Sequence, residues 1–194
     1  MKNVLRHLIH KIQRFSRQIY FRYPFNKERF KINGSSIRKI QSVLQPGDLI
    51  FRRFNNRLFD ILDGSFSEGA LYLGKGKILF HTDEDQIEML DLIDYCTCDQ
   101  VSIIRLKNDK KDNMGIDDII YRAKSFYHLF KEYDFIFDKE HPEIQNYSIC
   151  VYCFKEFRLK FHRSLLGYPT KIHKTFKNDS RFHEVYYSDS SVEL

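Results

Sequence analysis

The chain contains no tryptophan and only four cysteines in 194 residues. Cys96, Cys98, Cys150 and Cys153 are too few, at this length, for the disulfide framework of a small secreted scaffold. They make a poor zinc site too: Cys-Thr-Cys is a tight spacing, and neither pair sits in a glycine-rich knuckle. Cys150 and Cys153 have the separation of a thioredoxin-like redox pair but none of the surrounding signature. No metal and no cofactor is expected. No apolar run approaches the roughly 20 residues of a membrane-spanning helix. Arg6, His7, His10 and Lys11 interrupt the stretch where a secretory signal would have its apolar centre, so the expected location is cytoplasmic. Acidic residues are nearly missing from positions 1–40, which hold Glu28 against eleven Lys and Arg, a balance of +10. The remainder has 21 bases and 25 acids, a balance of −4. The net charge of +6 therefore belongs to the N-terminal segment and not to the whole protein.

What is abundant is aromatic: 18 Phe and 12 Tyr. The length suits one domain with a real core and an added terminal element. In the basic segment Val4/Leu5, Leu8/Ile9, Ile12, Phe15/Ser16 and Ile19 recur at helical period, with Lys2, Arg6, Lys11, Arg14 and Arg17 on the rest of the circumference. This predicts a basic amphipathic helix. Three uses of it stay open: docking on its own domain, a peripheral contact of residues 1–40 with an anionic membrane surface, and nucleic-acid binding, the least favoured of the three.

Asn33-Gly34-Ser35-Ser36 is a loop signal, Ile37 to Val43 fits a short helix, and Gln45-Pro46-Gly47-Asp48 a turn. Strand patterns follow. Leu49 to Arg52 is a short apolar run; Gly69 to Leu73 and Lys77 to His81 flank Gly74-Lys75-Gly76 as a hairpin; Val101 to Leu106 is a β-branched strand. Ile116, Ile119, Ile120, Ala123, Tyr127 and Phe130 mark an amphipathic helix, followed by Tyr133 to Asp138 as strand or loop. No internal repeat is present. The order predicts an α+β domain.

Cys150 opens the next helix, because Cys150, Phe154, Phe157 and Phe161 fall on one helical face. Unpaired amides at a helix start carry partial positive charge and favour thiolate over thiol, the condition for a nucleophile. The alternative is a buried, inert cysteine on an apolar face.

Five segments in order resemble the permuted papain-like branch of the NlpC/P60 superfamily, especially its YiiX/YebB-like group. They are Pro46-Gly47-Asp48-Leu49-Ile50-Phe51, Ser67-Glu68-Gly69-Ala70-Leu71-Tyr72-Leu73-Gly74, Ile103-Ile104-Arg105-Leu106, Tyr133-Asp134-Phe135 and Tyr147-Ser148-Ile149-Cys150. Tyr168-Pro169 and Arg181 to Val185 resemble the group's closing elements. The resemblance spans about residues 45 to 187. It implies an antiparallel sheet packed with helices; residues 1–44, the basic helical extension, and 188–194, a polar tail, lie outside it. It also implies a thiol hydrolase or acyltransferase acting on amide, ester or thioester bonds of a small acyl or peptide-like substrate. Carried over, Cys150 is the nucleophile, the turn before it supplies oxyanion donors, and Tyr147 and Tyr133 are pocket-wall residues.

The base position departs from the family pattern. The family's histidine in Ser-His-Val-Gly is Glu68 here, and a carboxylate beside a thiol opposes the thiolate. The second polar position falls by count on Phe80, with His81 one step on. Adjacent strand residues face opposite ways, so His81 reaches Cys150 only through a bulge that shifts the register, which Gly74-Lys75-Gly76 permits. His162, His173 and His183 lie in basic segments and are expected at the surface. Asp83, Glu84 and Asp85 form an acidic loop, read as a solvated turn rather than a cation site. Two functions follow: a thiol hydrolase using Cys150 with an unconventional partner, Glu68 or His81, and a degenerate papain-like domain that binds an acyl or peptide ligand or a partner without turnover.

Overall fold

A computed structural model describes residues 31–54, 66–81, 87–107, 115–130, 149–159 and 168–188. The expected amphipathic helix, along with Tyr133, Tyr147, His162 and the acidic loop 83–85, lies outside the described residues.

The described chain begins on the sheet, not apart from it. Helix α1 (Gly34–Val43) starts at Asn33, whose side-chain oxygen accepts from the Ser35 and Ser36 amides at 3.0 Å each. Such a cap satisfies two of the amides a helix start leaves unpaired. Ile40 of α1 is fully buried, and the Ile32 amide donates to the Cys98 carbonyl at 3.1 Å. Residues 32–44, expected in the extension, thus pack on the domain.

Gly47 (φ 91°) then turns the chain, and Asp48 locks the turn. Its carboxylate accepts from Arg105 Nε and from the Gln45 amide, each at 2.8 Å, while Arg105 also donates to the Val43 carbonyl. The Pro-Gly-Asp and Arg-Leu segments are therefore two halves of one clamp between the end of α1 and the central strands. A bidentate Arg–carboxylate pair with a buried acid is a strong form of this contact.

The strands are β1 (Leu49–Arg53), β2 (Glu68–Gly74), β3 (Lys77–His81), β4 (Ile87–Asp91), β5 (Gln100–Leu106) and β6 (Phe182–Tyr187). They form one antiparallel sheet in the order β4-β3-β2-β1-β5-β6. The β2–β3 hairpin turns at Lys75 (φ 51°) and Gly76 (φ 74°), the two positive φ values that a tight hairpin loop needs.

The remaining helices are α2 (Leu92–Tyr95), α3 (Ile116–Phe130), α4 (Ile149–Cys153) and α5 (Tyr168–Asn178). The described residues thus make an α+β fold of one six-stranded sheet and five α-helices. Both faces of the sheet are covered, which is why β1 and β5 read as near-continuous apolar runs. Leu49, Phe51, Leu71, Leu79, Ile104 and Leu106 face Ile119, Ala123 and Phe126 of α3, Cys150 and Cys153 of α4, and Ile172 and Phe176 of α5. Ile50, Ala70, Ile78, Phe80, Val101 and Ile103 face Ile40 of α1, Leu92 and Tyr95 of α2, and Cys96 and Cys98. No helix among the described residues is long and apolar enough to cross a membrane.

The helix expected from Cys150 through Phe161 is shorter than its spacing predicts. It ends at Cys153, gives way to a 3-10 turn at Lys155–Phe157, and leaves through Arg158 at φ 49°. Tertiary packing decides this: Phe154 and Phe157 bury in a cluster with Phe176 and Phe182, whose ring centroids lie 4.9–5.8 Å apart, and one turn has little helical stability of its own to resist it. Phe161 lies outside the described residues.

Candidate functional site

Cys150 is the second residue of α4, which packs on β2 and β3. Its side chain is fully buried at 0% exposure. A Cβ added at Gly69 would lie 2.9 Å from the Phe51 ring and 3.3 Å from the Cys150 sulfur. Gly69 thus leaves the space in which sulfur and ring meet, a reason for glycine at this strand position. With only five residues, α4 aligns few peptide dipoles, so the field expected to favour thiolate is small.

Glu68 is not brought to Cys150. It precedes Gly69 and projects from the opposite face of β2, where it pairs cross-strand with Arg52. Arg52 Nε donates to Glu68 Oε2 at 2.7 Å and its Nη1 to the Tyr95 carbonyl at 2.9 Å. The guanidinium lies 4.2 Å from the Tyr95 ring centroid and 5.0 Å from that of Phe54. Both partners are buried, Glu68 at 8% and Arg52 at 9% exposure. Burial disfavours the guanidinium's charge, but Glu68 and Tyr95 together outweigh it and the Arg52 pKa ends above its ordinary value. The carboxylate expected beside the thiol is therefore an internal counter-ion on the far side of the sheet.

His81 is the last residue of β3 and pairs with Ile87. Ile87 belongs to the core that contains Cys150, whereas Phe80 belongs to the other. The register Ala70↔Phe80, continued one step, sets position 81 across from Gly69, the residue beneath the sulfur. The hairpin also carries a register irregularity between Tyr72 and Gly74. On its backbone register, His81 shares the face of Cys150.

The other cysteines are divided by the sheet. Cys96 and Cys98 lie in the core of α1 and α2, Cys150 and Cys153 in the opposite core, so the two pairs do not converge. Burial pushes the Cys96 thiol up to about 12 and raises those of Cys98 and Cys153 as well. Among the described residues no group of three or more His, Cys, Asp or Glu is arranged to hold a metal ion.

His173, expected at the surface, is buried at 5% exposure. Its Nε2 lies 2.9 Å from Ser102 Oγ, which donates to Glu184 Oε1 at 2.7 Å. Lys177 Nζ donates to Glu184 Oε2 at 2.7 Å. Burial chiefly lowers the His173 pKa to about 4, with Glu184 opposing the shift, so the imidazole is neutral at pH 7. A helical pattern of Thr170, His173 and Lys177 carries no signal of this cluster, because Ser102 and Glu184 come from other elements. His183 is exposed, as expected.

Comparison with protein-family models, with curated proteins and with solved structures gives no match to this chain.

Proposed function

We propose that the chain is a permuted papain-like thiol hydrolase or acyltransferase in which Cys150 is the nucleophile and His81, not Glu68, takes the base position. One observation carries this reading: the Cys150 sulfur sits over Gly69, and the strand register sets His81 next to Gly69 on the same face. The ordered motifs support the papain-like part, with the Cys150 helix packed on the strand that follows the Pro-Gly-Asp strand.

In the proposed reaction the imidazole takes the thiol proton as sulfur attacks the carbonyl carbon of an amide, ester or thioester. The tetrahedral adduct collapses to a thioester on Cys150, and the leaving amine, alcohol or thiol departs with the proton from the imidazolium. Water, or another acceptor, then gives a proton to the imidazole and attacks the thioester, and the thiol is restored with release of the acyl product.

A second reading is a degenerate domain that holds an acyl or peptide ligand or a partner without turnover. The complete burial of Cys150 and the commitment of Glu68 to Arg52 favour it. An acyloxymethyl ketone probe, with each cysteine mapped by mass spectrometry, separates the two. The hydrolase reading expects native Cys150 to label at neutral pH with a sigmoid pH profile, and His81→Ala to slow labelling by about 100-fold. Cys150 labelling no faster than Cys96, Cys98 and Cys153 would sink it in favour of the second.

A further inference from the structure

One transverse row of the sheet links the thiol to the buried histidine. Gly69, Phe51, Ser102 and Tyr187 are successive cross-strand partners on β2, β1, β5 and β6. Cys150 sits over Gly69, and His173 of α5 sits over Ser102. Phe51 lies between them: one edge of its ring faces the Gly69 backbone, and the ring meets the imidazole edge-on at 83° with centroids 5.0 Å apart. Phe66 packs beside both, its ring centroid 4.4 Å from that of the imidazole and 5.9 Å from that of Phe51.

The imidazole is held in one orientation. A serine hydroxyl has a single proton, and Ser102 donates it to Glu184, so toward His173 it acts as acceptor and Nε2 carries the hydrogen. Glu184 is held in turn by Lys177. The members come from three elements: Ser102 from β5, Glu184 from β6, His173 and Lys177 from α5. A hydrogen-bonded network with its histidine and serine buried restrains the residues packed on it.

We propose that His173 is a positioning residue for Cys150: Ser102 and Glu184 fix the imidazole, the imidazole fixes the Phe51 ring, and Phe51 with Gly69 forms the seat of the sulfur. The catalytic meaning of that seat rests on Cys150 being the nucleophile, whereas its effect on access to the sulfur does not.

The test is the rate at which 4,4′-dithiodipyridine modifies each cysteine of the full native chain. Ser102→Ala and His173→Phe should each speed modification of Cys150 by about tenfold or more, the size expected for loosening a local element. The rates of Cys96 and Cys98, on the far face of the sheet, should not change. Ser102→Thr, which keeps the hydroxyl, should stay within about threefold of the natural chain, and the double variant Ser102→Ala/His173→Phe should be no faster than either single one, as for residues acting in one network. An unchanged Cys150 rate overturns the proposal. So does a parallel rise at Cys96 and Cys98, which signals global loosening, or a Thr variant that behaves like Ala. Failure of the acyl probe in the natural chain would refute the nucleophile alone, since these rates report access and not acyl transfer.

Discussion

The two faces of the sheet use neighbouring residues of one strand for opposite ends. On one side Gly69 removes a side chain so that the Cys150 sulfur and the Phe51 ring can meet over bare backbone. On the other, Glu68 fills its space with charge and neutralises an arginine enclosed by Tyr95, Phe54 and Phe80. The first face depends on shape and the second on charge balance. Substitutions should therefore behave differently on the two sides, and a single residue step along β2 decides which rule applies.

The largest effect is expected on the charged face. Glu68→Leu leaves a buried guanidinium without its counter-ion and should lower stability by about 3–5 kcal/mol in denaturant titration. Arg52→Met combined with Glu68→Leu removes both charges and should recover most of that loss. A double variant as unstable as the single one would show that the pair is not balanced in this way. Glu68→His should destabilise as well without raising acyl-probe labelling of Cys150, because the new imidazole would sit across the sheet from the sulfur.

Acid should act on the thiol face. The His173 pKa is about 4 in the folded chain against an ordinary value of 6.5, so between those pH values the unfolded chain binds a proton that the folded chain does not. Stability should fall as pH drops from about 6.5 toward 4, by up to about 3 kcal/mol from this group. Burial pushes the Glu184 pKa up, but Lys177 and Ser102 together bring it below its ordinary value, which adds a loss in the same direction at still lower pH. Denaturant midpoints at pH 7, 5.5 and 4.5 should show the decline in the natural chain and a shallower one in His173→Gln.

Gly69→Ala sharpens the contrast by shape alone. The added methyl meets Phe51 and the sulfur at distances that require them to move, a loss of about 1–3 kcal/mol as in other overpacked cores. Cys150 labelling should fall with it. Removing residues 1–30 leaves Ile32 and α1 on the sheet, and stability then reads the docking of the basic segment: a loss of about 1 kcal/mol or more would mark a helix packed on the domain, and a change within about 0.5 kcal/mol one that is not. The same variant tests the basic segment: loss of binding to anionic vesicles with single-stranded nucleic acid unaffected would assign it to a membrane surface, and no change in either would leave a docked helix. Removing residues 1–44 would not be a clean test, since it strips Ile40 from the core.

Much of the fold is legible in the residue pattern alone. The helix near residues 37–43, the strand from Leu49, the hairpin around Lys75-Gly76, the strand ending at Leu106 and the helix from Ile116 all lie where period and turn chemistry put them. Other elements leave no clear pattern, for physical reasons. The strand Ile87–Asp91 is an edge strand with one well-buried residue, and Phe182–Tyr187 mixes buried and half-exposed positions, so neither alternates cleanly. After Cys150 the spacing overstates the helix, because its phenylalanines do share a buried cluster but reach it through a turn.

The candidate site is legible only as a set of separate residues. Cys150, Glu68 and His81 all stand out as chemically informative side chains, and the basic N-terminal segment as a run of charge, because residue type and spacing are local properties. Which of them share a space does not, because a strand sends adjacent side chains to opposite faces and only the pairing register decides which face meets the cysteine. The sequence by itself determined an α+β order, a turn at Pro46-Gly47-Asp48, and a cysteine at the start of a helix. The tertiary structure alone clamped Asp48 to Arg105, turned Glu68 away to Arg52, paired His81 with Ile87 of the Cys150 core, and joined Ser102, His173 and Glu184 from three elements. Packing across the sheet brings together residues that no local pattern relates.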